Sequence, residues 1–156
     1  MQIEAVIFDY NRTLVQGEDT PPALFPETLP LLNALKARRI KMALVSVGED
    51  QVLRRQEIDG LGLSPYFQAI RIVGKNDRKD LQPVLNELGV EGKACIVVGD
   101  RIKKEIVEGN KVGAYTVWIR QGKFAEEKPK SPEEEPTHTI NSLLEVLPLI
   151  NQETVA

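Results

Sequence analysis

The sequence predicts an α/β fold in which helices cover both faces of a parallel sheet, and two observations carry that prediction. Short apolar runs rich in β-branched residues alternate with helical stretches of about 10–15 residues, the signature of βαβ units. Four of these runs end abruptly in polar residues, after Phe8, Val45, Val73 and Val98. Right-handed crossovers place all four turns along one edge of the sheet, the edge where open α/β proteins bind ligands. With 156 residues, no internal repeat and no sign of a second unit, the expectation is one domain over residues 1–156.

Each element follows from local chemistry. The first strand runs from Ile3 to Phe8 and delivers Asp9 at its end. Gln16 to Pro22 is a polar, proline-bearing loop that cannot be a helix interior. Between Thr28 and Arg39, Leu29, Leu32 and Leu35 recur at helical spacing, and Lys36, Arg38 and Arg39 gather where the helix dipole favours cations. Ile40 to Val45 reads as a buried strand ending at Ser46. A helix from about Asp50 stops near Asp59-Gly60, and Ala69 to Val73 forms a short third strand.

The polar stretch 74–80 precedes a helix that closes at Leu88-Gly89. Pro83 within it predicts either a late start, with Asp80 as cap, or a kink. Lys93 to Val98 is the fourth strand, leading into Gly99-Asp100, and a helix carrying Ile102, Ile106 and Val107 gives way at Gly109-Asn110. Ala114 to Ile119 is the fifth strand. Residues 121–136, rich in Lys, Glu and Pro, have little to bury and read as a mobile surface loop. Thr139-Ile140 fits a short edge strand, and Ser142 to Glu145 has the form of a capping box opening a last helix, which Pro148 should kink or shorten.

Bulk properties narrow the function classes. A hydrophobic content of 42% and a charged content of 28% are those of an ordinary globular chain. The formal charge of −3 offers no electrostatic reason for a nucleic-acid or anionic-membrane partner. One cysteine, Cys95, excludes an intramolecular disulfide and any multi-cysteine zinc site; within a strand run it reads as a small buried apolar group. No apolar run reaches the roughly 20 residues of a membrane span. The sequence opens on a strand rather than on the segments of a signal peptide, so a cytoplasmic, reducing setting is expected.

Asp9-Tyr10-Asn11-Arg12-Thr13 resembles the nucleophile motif of the haloacid dehalogenase (HAD) superfamily, Asp-x-Asp-x-Thr, with an amide at the second acid. The later strand ends resemble the remaining HAD motifs in order: Ser46, then Lys75, then Gly99-Asp100 with Glu105 five residues on. Lys79 competes with Lys75 for the third place, since it lies nearer a helix starting after Asp80; motif spacing favours Lys75. A lone acid or serine at a strand end is weak, but four in order is specific, and the match covers about Ile3 to Ile119.

This resemblance implies a three-layer Rossmann-like (HAD-like) fold and a Mg²⁺-dependent phosphohydrolase acting on a phosphorylated substrate through an aspartyl-phosphate. By the same resemblance Asp9 is nucleophile and metal ligand, Asn11 offers a backbone carbonyl to the metal, and Asp100 a carboxylate. Ser46 and Lys75 would bind the phosphate, and Glu105 would orient metal-bound water. Phosphoryl transfer needs such a set because it is mostly positioning and charge neutralisation.

Asn11 breaks the pattern. The second acid of family phosphatases protonates the leaving oxygen and later activates water; an amide transfers no proton, and that loss typically costs about 10²–10⁴-fold. Arg12 stands where many members have Gly, which bears on the turn geometry. Dehalogenases and phosphonatases of the superfamily also lack the second acid but rely on a cap domain. Neither Gln16–Phe25 nor Gly48–Ala69 has room for a large one. An open site either admits a large phosphorylated molecule or is covered by a neighbouring subunit of a homo-oligomer. The competing reading is a catalytically silent HAD-fold module that binds a phosphorylated ligand or a protein. A phospho-accepting receiver domain fits poorly, lacking the acidic pair after the first strand and the acceptor after the third. His138, beyond the charged loop, reads as a surface residue, and Trp118 as strand packing.

Overall fold

The computed structural model describes residues 2–17 and 21–154, with side chains through residue 150. Six parallel strands form one sheet: β1 (Ala5–Phe8), β2 (Lys41–Val47), β3 (Ala69–Val73), β4 (Cys95–Gly99), β5 (Tyr115–Ile119) and β6 (His138–Ile140). Their spatial order is β3-β2-β1-β4-β5-β6. The helices are α1 (Thr28–Ala37), α2 (Gln51–Gly60), α3 (Gln82–Leu88), α4 (Val107–Lys111) and α5 (Val146–Thr154). Residues 18–20 of the loop expected after Val15 lie outside the described residues.

β1 is wholly buried because it is covered on both faces. Val6 and Phe8 turn to one side, packing with Leu31, Leu32, Leu35 and Val146. Ala5 and Ile7 turn to the other, against Val84, Leu85 and Leu88 of α3. This alternation builds the three layers and confirms the predicted α/β class. β1 pairs β2 on one side and β4 on the other, with Phe8 level with both Leu44 and Val98. Chain order reverses across β1, so the sheet's switch point, the usual crevice for ligands, lies at the carboxyl end of β1 beside β4.

Some local expectations hold and others change in context. α3 starts late, at Gln82, and Pro83 falls in its first turn, where a missing N–H costs nothing; Asp80 Oδ1 accepts from Gln82 N at 3.2 Å. Pro148 likewise lies in the first turn of α5, so neither kink occurs. Ser142 N donates to Glu145 Oε2 at 2.7 Å, as the capping box requires, ahead of a 3₁₀ turn over Leu143–Glu145 that runs into α5. The helix after β4 begins as a π-helical turn, Ile102–Ile106, and continues as α4 past Gly109-Asn110. The stretch 121–136, expected to be loose, is pinned: Gln121 Nε2 donates to Arg12 O at 2.6 Å, and Glu127 Oε1 accepts from Ile102 N at 3.0 Å. Among the described residues no helix is long and apolar enough to cross a membrane.

Candidate active site

The ends of β1, β2 and β4 and the two loops that follow β3 and β5 enclose a cleft of about 600 Å³. Its floor is Asp9, 7% exposed, which extends β1 by donating its N–H to Val98 O at 3.0 Å. The chain then turns sharply, Leu14 N and Val15 N both donating to Tyr10 O. Thr13 Oγ1 lies 3.5 Å from Asp9 Oδ2, a loose contact. Lys79 Nζ donates to Asp9 Oδ1 at 2.6 Å and to Glu105 Oε2 at 3.4 Å, in a setting where the lysine is 5% exposed.

Sequence spacing favoured Lys75 for the lysine of this site, but the structure brings Lys79 there and leaves Lys75 at the cleft's outer edge. Lys75 is largely exposed and faces Glu49 at 3.8 Å. The cause is local. Asp77 N donates to Gly74 O and Gly74 N to Asp77 Oδ2, closing a tight turn that holds Lys75 at its tip. The chain then returns in extended form, so Lys79 and Leu81 are buried while Arg78 and Asp80 are exposed. Leu81 anchors this return in the core.

Asp100 follows β4 directly and is fully buried; its backbone carbonyl accepts from Trp118 Nε1 at 2.9 Å. Gly99 makes the next step feasible: a Cβ there would lie 2.3 Å from Glu105 Cγ, so only glycine lets the π-helical turn press Glu105 beneath β4. One oxygen each from Asp9, Asp100 and Glu105 then fall within 4.8 Å of one another.

Three carboxylates share the positive charge of Lys79 and Arg12, and the imbalance appears in their titration. Burial raises the Asp9 carboxyl, but the Lys79 charge and hydrogen bonds to the anion outweigh it and hold the group below its ordinary value. Burial and repulsion from Asp9 push Asp100 up to about 7 despite Arg12. Burial, then Asp9, also raises Glu105 well above its usual range. Burial opposes the Lys79 charge, yet Asp9 and Glu105 keep its pKa above the ordinary lysine value. Among the described residues Asp100 Oδ1 and Glu105 Oε1 are buried acceptors without a donor. Hard oxygens short of positive charge are a donor set that fits Mg²⁺.

Ser46, fully buried at the end of β2, accepts a close hydrogen bond from Arg54 Nη1, which also donates to Val47 O at 2.9 Å. Arg54 lies over the Tyr10 ring, 4.7 Å from its centroid, and its Nε donates to Glu57 at 3.0 Å. Asn11 lines the cleft in the turn after β1. Arg12 takes the left-handed conformation, φ 60°, that its glycine-like position demands. Its Nε donates to Asp100 Oδ2 at 2.7 Å.

The structure brings Asp9, Asn11, Asp100 and Glu105 to the cleft, with Ser46 buried beside Arg54, and adds Arg12, Arg54, Lys123 and Phe124, to which the sequence assigned no site role. Lys79 was the alternative the sequence left open for the lysine, and it is the one buried on the side of Leu81. Arg54 had a usable signal, since it lies in the first turn of α2, the helix that follows the strand ending at Ser46. Arg12, Lys123 and Phe124 had none, because the last two come from a loop whose composition reads as solvent-facing.

A family model described as haloacid dehalogenase-like hydrolase matches residues 2–113. The glyceraldehyde 3-phosphate phosphatase of Methanopyrus kandleri is 28% identical over 133 residues, 82% of this chain and 57% of its own length. The phosphoserine phosphatase of Thermus thermophilus is 28% identical over 128 residues, 79% of this chain and 49% of its own. The chain therefore spans about half the length of these curated relatives. Among solved structures, an uncharacterized protein from Listeria monocytogenes superposes with a TM-score of 0.78 at 19% identity, covering 96% of this chain and 99% of that one. The putative HAD-hydrolase YfnB from Bacillus subtilis, bound to magnesium, gives 0.76 at 14% identity, with 97% and 100% covered.

Proposed function

The chain belongs to the haloacid dehalogenase-like hydrolases, and on that premise we propose that it is a Mg²⁺-dependent phosphohydrolase that works through an aspartyl-phosphate on Asp9. The observation that carries this reading is the floor of the cleft: a buried, ionised Asp9 held by Lys79 beside two carboxylates with unfilled acceptors. The phosphatase names of the relatives support it.

Asp9 Oδ1 is committed to Lys79, so the more loosely held Oδ2 is the nucleophile. Attack on phosphorus forms the acyl phosphate as the bond to the leaving oxygen breaks, and that oxygen departs with the electron pair. Water then attacks the same phosphorus, releases inorganic phosphate, loses its proton to solvent and regenerates Asp9. Lys79 supplies a fixed positive charge to Asp9 and to the transferring oxygens; Ser46 and Arg54 hold the phosphoryl group from the β2 side. Mg²⁺, held by Asp9, Asp100 and the Asn11 carbonyl, would neutralise charge so that one anion can approach another. Asn11 donates no proton, so the best substrates have leaving groups that depart as anions, and turnover is slow on the rest. The cleft stays open, without a large cap, and admits substrates from solvent in a cytoplasmic setting.

One observation favours a second reading, a silent phospholigand-binding module: Arg12 already occupies Asp100 Oδ2. Incubation with acetyl phosphate and Mg²⁺, followed by mass spectrometry, separates the two. The hydrolase reading expects a phosphoryl adduct mapped to Asp9 that requires Mg²⁺ and is lost in Asp9→Asn. No adduct under any condition would sink it.

A further inference from the structure

The chain carries a net charge of −3, yet seven lysine and arginine side chains line the cleft against four carboxylates. Overall charge therefore does not explain the cleft's sign. Some of these cations are spoken for at the floor: Lys79 by Asp9 and Glu105, Arg12 by Asp100, Arg54 by Ser46, Val47 O and Glu57. A second group, Arg101, Lys104 and Lys123, sits on the rim beyond β4 and β5, where Arg101 and Lys123 flank one aromatic ring.

Arg101 lies face-on to Phe124, its Cζ 3.9 Å from the ring centroid, and Lys123 Nζ lies 5.4 Å from the same centroid. Gly122 allows this. It has φ +72°, and a Cβ there would come within 2.9 Å of Arg12 Cδ, so the glycine lets the loop press onto the first turn and present Phe124 to the cleft. The carboxylate facing Arg101 is Glu127, 3.7 Å from Nη2 and also taken up by Ile102 N. Among the described residues Arg101 Nε is buried without an acceptor. Lys104 is one hydrogen-bonded turn along, its N–H reaching Arg101 O at 3.3 Å; the half-buried side chain lines the cleft, and no ion pair to it occurs among the described residues. Arg101 and Lys104 are like charges one turn apart, with a single carboxylate, Glu127, paired to Arg101, and an added anion stabilises such a pair.

We infer that the ligand of this site carries a second anionic group, a carboxylate or a further phosphate, which docks on Arg101 and Lys104 beside Phe124 while the transferring phosphoryl lies over Asp9. This rests on the phosphohydrolase reading for the first group only. The rim selects among phosphomonoesters: compact, doubly anionic metabolites bind, and neutral-tailed ones of equal size bind weakly.

The test measures affinity, separately from turnover. Isothermal titration of the full chain carrying Asp9→Asn, with Mg²⁺ present, compares glycerol 3-phosphate with 3-phosphoglycerate, and fructose 6-phosphate with fructose 1,6-bisphosphate. The first pair adds a carboxylate and the second a phosphate. At least one doubly anionic member should bind about tenfold more tightly than its partner, and the pair that shows it identifies the anion. Raising KCl from 50 to 500 mM should shrink that ratio, and Lys104→Glu and Arg101→Gln should each bring it near one, with circular dichroism confirming the fold. Ratios near one in both pairs, ratios untouched by either rim substitution, or no binding of any of the four compounds would overturn the inference. Turnover of glycerol 3-phosphate by the unsubstituted chain is scored independently. Its absence speaks against the hydrolase reading, while the affinity ratios still decide the rim.

Discussion

The floor and the rim of the cleft are built from the same residue types under opposite rules. On the floor Lys79 is 5% exposed at the side chain and pinned to Asp9 at 2.6 Å; four residues earlier Lys75 is 73% exposed and faces Glu49 at 3.8 Å. An ion pair in water is worth about 0–1 kcal/mol, because solvent screens it and holding two long side chains costs entropy. A buried charge has no such alternative, and removing its partner leaves an uncompensated ion at a cost of about 3–5 kcal/mol. The floor is thus a rigid unit in which any charge change is felt by every member, whereas the rim can be altered piecemeal. On the proposed reading, chemistry belongs on the first and selection among ligands on the second.

The sharpest way to break that contrast is to neutralise each lysine in turn. Lys79→Met should lower phosphate-ester turnover by about 10²–10³-fold, the usual cost of losing a preorganised charge on the transferring group, and should lower the melting temperature. A melting temperature and turnover both equal to the unsubstituted chain would show that the floor is no more coupled than the rim. Asn11→Asp tests the first turn, where floor meets solvent. It restores a proton donor, and turnover of alkyl phosphates should rise by about 10²-fold while aryl phosphates, which leave as stable anions, gain less. Equal gains for both classes, or none, would mean that proton transfer is not what Asn11 withholds.

A pH experiment reads the floor's charge surplus directly. Asp100 is raised to about 7, so the folded state binds its proton more tightly than the unfolded chain does. The stability this confers is complete below the unfolded value near 3.8 and is lost as pH rises through about 7. Glu105 shifts in the same direction, whereas Asp9, shifted down, matters only at lower pH. In EDTA the unfolding free energy should therefore fall from pH 5 to pH 8 by on the order of a few kcal/mol, and the melting temperature should fall with it. Mg²⁺ should restore it at pH 8, and Asp100→Asn should flatten the profile. A melting temperature that climbs over this range would contradict the assigned charge balance. The smallest effect is expected at the tip of the turn: Lys75→Met should change kcat/KM by less than about threefold and leave the melting temperature alone.

Much of the floor was legible in the linear chain. β1, β2 and β4 are continuous apolar runs closed by Asp9, Ser46 and Gly99-Asp100, and such runs declare themselves through periodicity and turn chemistry that depend on near neighbours. Four strand ends in family order therefore located the cleft and its acids. Of the two helix prolines, Pro83 gave the late start that was one of its two expected outcomes, whereas Pro148 falls in a first turn and kinks nothing, since a proline's effect depends on which turn it occupies.

What tertiary structure alone decided is which long side chain reaches which acid. Asp9 and Lys79 are 70 residues apart, and Arg12 and Asp100 are 88. Both contacts turn on the exact exit of a loop from its strand. The closed turn at Gly74 carried Lys75 outward and folded Lys79 in; the left-handed Arg12 and the glycine at 122 brought a charged, unpromising loop down onto the cleft with Phe124 at its tip. Local pattern determines where backbone runs and which face it buries. The reach of a lysine or arginine, several freely rotating bonds from its backbone, is determined by burial and by the opposite charge it finds there.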